Sequence, residues 1–223
     1  MRFFTSLILI FLLSINTNAQ HLTAGFLPNL TLSYKVSDHY KFVHKLESRF
    51  PSYNDRDEKF DFNFERFDIQ NYAERKLGLF SKLSLGYQLR FRTENRYAHR
   101  TIQQLSWSTG FNTYRIGHRV RSDQTFSEDR KPEVRFRYRV GFQIPLQGQQ
   151  LDPKEYYLSL SDELVWSYRS PNADLENRIN AKVGFYMNDK NKIESGIEWR
   201  AEEFFLDGIK HQVWFTFSWY KSL

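Results

Sequence analysis

The stretch Glu133 to Leu146, EVRFRYRVGFQIPL, constrains the fold more than any other part of the chain. Val134, Phe136, Tyr138, Val140, Phe142 and Ile144 share one parity, and Glu133, Arg135, Arg137, Arg139, Gly141 and Gln143 share the other. Successive side chains of an extended strand point to opposite faces, so this segment has one apolar, aromatic face and one charged face. A soluble sheet also alternates, but it rarely sets three successive arginines along one face of so long a strand.

The same period of two recurs along most of the chain. Leu30, Leu32, Tyr34 and Val36 oppose Asn29, Thr31, Ser33 and Lys35; Tyr40, Phe42, His44, Leu46, Ser48 and Phe50 oppose Lys41, Val43, Lys45, Glu47 and Arg49. The second of these strands is expected to close at Pro51, which has no N–H to give to a ladder. From Lys59 to Leu79 the parity changes near Glu65-Arg66, which reads as one long strand with a bulge. Further two-faced segments cover 83–94, 100–107, 114–126, 133–144, 156–166, 178–185, 193–202 and 212–219, with a loop at 167–175 and a hairpin turn at 188–191. Trp214 falls on the polar side of the last strand.

No 3.6-residue periodicity is sustained, and there is no glycine-rich phosphate loop and no linker, so residues 20–223 read as one all-β domain. Abundant aromatics (21 Phe, 13 Tyr, 5 Trp) without long apolar runs suit a transmembrane, antiparallel up-and-down β-barrel, where only alternate residues face lipid. Eleven strand candidates conflict with the even number of bacterial single-chain barrels, which bounds the count at about 10–12. Short turns alternating with longer loops read as the two ends of such a barrel.

Residues 1–19 are of a different character. Arg2, the run Leu7 to Leu13 and Thr17-Asn18-Ala19 have the layout of a cleaved signal peptide, and the apolar run is well short of the roughly 20 residues of a spanning helix. Export makes nucleic acid an improbable partner, and the formal charge of +6 is moderate. Zero cysteines exclude a disulfide-stapled scaffold and a lipoprotein signal alike.

Several phrases resemble an uncharacterised family of Bacteroidota outer-membrane proteins, the domain of unknown function 2490. They are Ala19-Gln20, Gln104 to Trp107, HRVRSDQTF at His118 to Phe126, RFRYRVGFQIPL at Arg135 to Leu146, Asn177-Arg178 and IESGIEWR at Ile193 to Arg200. The resemblance implies an outer-membrane β-barrel of a Gram-negative bacterium and supplies no site residues.

The main constellation is the charged face: Arg90, Arg92, Arg119, Arg121, Arg135, Arg137 and Arg139, with Glu47, Glu94, Glu163, Glu194, Glu198 and Glu202 at the same parity. An Arg or Lys facing lipid at mid-membrane costs roughly 2 to 4 kcal/mol, so this face is expected to line the lumen. About eight strands leave an interior just filled by side chains and about sixteen leave a water channel, so 10–12 strands should be nearly or wholly occluded. The charged face then serves either as internal ion pairing or as a narrow pore for small anionic solutes. A lipid-modifying enzyme and a surface binding module are the alternatives. His118 and Ser122 share the outward parity, His39, His44, His99 and His211 are scattered, and no metal-ligand spacing, cofactor motif or catalytic motif occurs. Trp107, Trp166, Trp199 and Trp219, with Tyr34, Tyr87, Tyr138 and Tyr156, are expected to face lipid. The ending Phe215 to Tyr220 is similar to the signal read by the outer-membrane assembly machinery. The expected partners are that machinery and outer-membrane lipid, with oligomeric state left open.

Overall fold

The computed structural model describes residues 21–55, 59–93, 96–128, 130–205 and 208–223. The leader at 1–19, Gln20 and Glu94 lie outside the described residues. The chain forms β1 (His21–Lys35), β2 (Tyr40–Asn54), a two-residue β3 (Lys59–Phe60), β4 (Arg66–Lys76), β5 (Ser81–Arg92) and β6 (Arg96–Gly110). β7 (Arg115–Ser127), β8 (Arg130–Pro145), β9 (Glu155–Arg169), β10 (Asn172–Asn188), β11 (Asn191–Glu202) and β12 (Lys210–Ser222) follow. Sequence neighbours pair antiparallel, β2 passes over the β3 stub to pair with β4, and β1 pairs with both β2 and β12. The result is a closed barrel of eleven strands with β3 outside the ring.

An up-and-down meander of eleven strands brings its first and last members together pointing the same way. β1 and β12 are accordingly parallel, in register from His21↔Lys210 to Ser33↔Ser222. Eleven strands therefore stand, and the expectation of an even number does not, because a parallel ladder satisfies both edges as an antiparallel one would. His21 and Ser222 consequently lie at opposite rims, here called the first and the second.

Several boundaries differ from the sequence reading. β1 begins at His21 rather than Asn29, and β2 runs through Pro51 to Asn54. At that height residues 61–65 donate their N–H groups to the carbonyls of Arg49, Pro51 and Ser52, so no ladder bond requires a proline N–H. The expected single strand over 59–79 is instead the β3 stub, an irregular run at 61–65, and β4; Leu77 and Leu79 lie beyond β4 and are exposed. Phe62 stacks on Phe50 with centroids 5.1 Å apart and reaches Phe26 at 5.9 Å, so this irregular run covers the outer wall near the seam. The expected loop at 167–175 is mostly strand, with only 170–171 between β9 and β10, because Ser167 and Asp174 carry the polarity of the inner wall. Loop length does not separate the two ends: 55–65 is at the first rim, 146–154 at the second, and each rim also has a two-residue turn.

The barrel is apolar outside and polar inside. Among the described residues, twenty-one polar or charged side chains are buried against seven apolar ones, while Phe26, Leu85, Phe136, Tyr138, Trp166, Phe215, Phe217 and Trp219 are exposed on the outer wall. Three inward aromatics lie directly across from inward glycines: Trp214 from Gly25, Tyr72 from Gly86, and Tyr157 from Gly184. A Cβ at Gly184 would enter the Tyr157 ring, and one at Gly86 would come within 2.7 Å of Tyr72 Cε1. The missing side chain thus lets each ring lie flat along the wall. Trp214 is no exception to the alternation, since it sits buried over Gly25 with the Arg49 guanidinium 4.5 Å from its ring.

Candidate functional site

All ten inward residues named from the sequence (Arg90, Arg92, Arg119, Arg121, Arg135, Arg137, Arg139, Glu163, Glu194 and Glu198) sit on the inner wall, where each lines an internal cavity. Their arrangement follows from cross-strand register. Arg119 is opposite Arg139 and Arg121 opposite Arg137 on β7–β8, and Arg139 is opposite Glu163 on β9. Like charges directly across a ladder repel, so each needs a carboxylate, whether two residues along its own strand or from another strand.

Those carboxylates organise the interior. Asp123, fully buried on β7, lies 2.9 Å from Arg137 Nε, 3.2 Å from Arg121 Nε and 3.3 Å from Arg100 Nε. Asp68 on β4 accepts a bidentate pair from Arg90, both bonds 2.7 Å. Glu163 accepts from Arg119 at 2.7 Å and has Arg178 at 4.0 Å. Glu176 is gripped by Arg178 at 2.5 and 2.9 Å, Glu133 by Arg135 and Arg169, and Glu198 by Arg200. Glu194 is held differently, by the hydroxyls of Tyr157 at 2.8 Å and Tyr220 at 3.0 Å. Planar guanidinium forks suit this work because they bond carboxylates in fixed, often bidentate geometry.

Pairing is incomplete. Arg49 and Arg137 each keep a buried Nε and Nη2 without a hydrogen bond, Arg119 keeps its Nε, and Ser161 its Oγ. Two cavities occupy the remaining space. The one towards the first rim measures about 660 Å³, and fourteen arginines and Lys45 line it against ten carboxylates. The one towards the second rim measures about 490 Å³, with six cations and only Glu194 as an acid. Arg119 and Arg139 line both.

Asp68, Asp123, Glu176, Arg178 and Arg200 belong to this network, although the charged constellation read from the sequence does not include them; Glu133 is placed by that reading on the charged face of its strand. For Asp123 the signal was present, since it shares the parity of Arg119 and Arg121. Asp68 was hidden by the parity change before β4, and Glu176 by its place next to the expected loop. Four histidines lie on the outer wall: His44 bonds Asn71 at 2.6 Å, His118 bonds the Tyr138 hydroxyl at 2.9 Å and stacks on Trp107, His99 bonds Tyr87, and His211 stacks on Trp199, while His21 faces Asp55 at the first rim and His39 is in the β1–β2 turn. Among the described residues no group of three His, Asp or Glu converges as a metal site would.

The chain matches no characterised protein and no solved structure. A family model described as a protein of unknown function, DUF2490, matches residues 24–205, a span that runs from β1 to just past β11 and includes every strand that supplies a charged side chain to the ion pairs described above. An eleven-stranded barrel closed on a charged interior is thus the fold of a member of the domain of unknown function 2490 family, to which this chain belongs.

Proposed function

We propose that the protein is an outer-membrane β-barrel whose basic interior forms a narrow passage for small anionic solutes. The observation that carries this reading is the pair of cavities reaching towards opposite rims and sharing Arg119 and Arg139 at their junction, both lined by more cations than acids. A constriction ringed by fixed positive charge admits anions and retards cations, the arrangement used by anion-selective pores. The apolar, aromatic outer wall supports insertion, since lipid would cover Phe136, Trp166, Phe215 and Trp219 at no desolvation cost. The leader-like residues 1–19 support export, and the aromatic ending of β12 supports handling by the outer-membrane assembly machinery. A purely structural barrel is the second reading, favoured by the ion pairs that fill much of the first-rim half of the interior.

Planar-bilayer recording on the purified protein separates the two. The pore reading expects small conductance steps with anion preference, and a loss or reversal of that preference in Arg139→Glu. Bilayers that stay silent although the protein has inserted would overturn it in favour of the structural barrel.

A further inference from the structure

Among the described residues, the junction of the two cavities holds a further set of inner-wall polar groups without hydrogen-bond partners, beside those of Arg49 and Arg137. Arg139 makes no hydrogen bond and no ion pair within 4 Å, although Glu163 stands directly across the ladder from it. Glu163 is already engaged by Arg119 Nη2 and faces Arg178. Arg119, beside Arg139 on β7, has its Nε buried without a partner. The Ser161 hydroxyl, on the next strand beyond Arg139 and only 6% exposed at the residue level, also has none. Glu194, the one acid lining the second-rim cavity among the described residues, accepts from the hydroxyls of Tyr157 and Tyr220.

Below these groups the wall is hollowed. Gly117 and Gly141 are paired across β7–β8, and Gly141 is in turn paired with Ser161. A Cβ at Gly117 would meet nothing within 4 Å, and at Gly141 the nearest atoms are 3.5 Å away. The space is therefore a cradle with the guanidinium groups of Arg119 and Arg139 on its edge, both of them donors, and with Ser161 buried in the wall beside Gly141.

We propose that this cradle is a binding site for a small, multiply charged oxyanion of the phosphate or sulfate type. Burying unpaired guanidinium groups is unfavourable unless an anion completes their hydrogen bonds. The second-rim cavity carries six cations against one acid, which suits a multiply charged oxyanion better than a singly charged carboxylate. Inorganic phosphate or sulfate in the cradle would accept from the guanidinium groups of Arg139 and Arg119, leaving the Arg119–Glu163 pair intact. The inference deepens the anion-passage reading by naming a solute class and a resting place for it, and it rests on that reading only for its physiological meaning.

Calorimetric titration of the detergent-folded, full-length barrel with inorganic phosphate, sulfate and acetate tests it. Saturable binding of phosphate and sulfate, clearly tighter than that of acetate, is the expected result. Arg139→Gln should weaken phosphate binding about tenfold or more, the scale of one charge-assisted contact. Gly117→Val, which fills the cradle without touching an ion pair, should weaken it as well. Folding of each variant is read from heat-modifiable gel mobility, and if Arg139→Gln does not fold, Arg139→Lys takes its place with a smaller expected loss. Absence of saturable binding, or binding unaffected by Gly117→Val and by whichever donor variant folds, would overturn the site. Phosphate binding by a barrel that is silent in bilayers would uphold the site while the passage reading fails. Conductance without phosphate binding would do the reverse.

Discussion

At the scale of single residues, the interior depends on a few carboxylates that each serve several cations. Asp123 is the extreme case, with Arg100, Arg121 and Arg137 around one buried carboxylate. Breaking a buried pair by removing one partner costs about 3–5 kcal/mol, because the remaining charge is left desolvated. Asp123→Asn keeps the shape and removes the charge, so it should destabilise the barrel by about that amount, measured as a lower urea midpoint for unfolding from micelles. Glu203→Gln makes the contrast. Its partner Lys210, 2.6 Å away, is 41% exposed at the first rim, and the loss should stay below about 1 kcal/mol. The inward side of nearly every such residue was legible from parity alone, since a period of two admits no intermediate facing. Which carboxylate meets which guanidinium was not. Pairs such as Arg121–Asp123 and Arg178–Glu176 lie two residues apart on one strand, but Arg90–Asp68 and Arg119–Glu163 depend on how strands are placed across the barrel, which is set by loop lengths and by closure of the ring.

At the scale of elements, alternation identified the strands better than their ends. The clean segments, 133–144 above all, sit inside strands of the observed phase, whereas β1, β2, β9 and β10 all run longer than their alternation suggested. Polar residues near a rim read as loop in sequence, but inside a barrel the polar face continues to the end of the strand. The β1–β12 seam was illegible for a different reason, since nothing local distinguishes a strand with a parallel neighbour. It gives a direct test. Asn29 and Ser218 are register partners whose side chains bond at 2.7 Å inside the barrel. In a chain with no cysteine, Asn29→Cys with Ser218→Cys should oxidise readily to a disulfide seen as altered gel mobility after denaturation. The control pair Asn29→Cys with Trp219→Cys places its thiols on opposite faces and should not. If the control cross-links and the partner pair does not, the seam has another register.

At the scale of the whole molecule, the polar and apolar shells are exchanged relative to a soluble domain, so extraction should require detergent and the folded form should migrate differently from the boiled one. The odd strand number then has a consequence for how the two ends of the barrel meet the cell. An even meander displays both ends of its chain to one compartment; here His21 and Ser222 emerge at opposite rims. An epitope inserted just ahead of His21 and one added after Leu223 should therefore never be reached together by a probe confined to one side. On intact cells an impermeant antibody should stain one of the two epitopes and leave the other dark until the membrane is opened. Staining of both on intact cells would mean that the ring closes on an even number of strands. If the barrel spans the outer membrane as proposed, an enzyme or reporter fused at each end would likewise sample two different environments, as a display post does and a loop returning to its starting side does not.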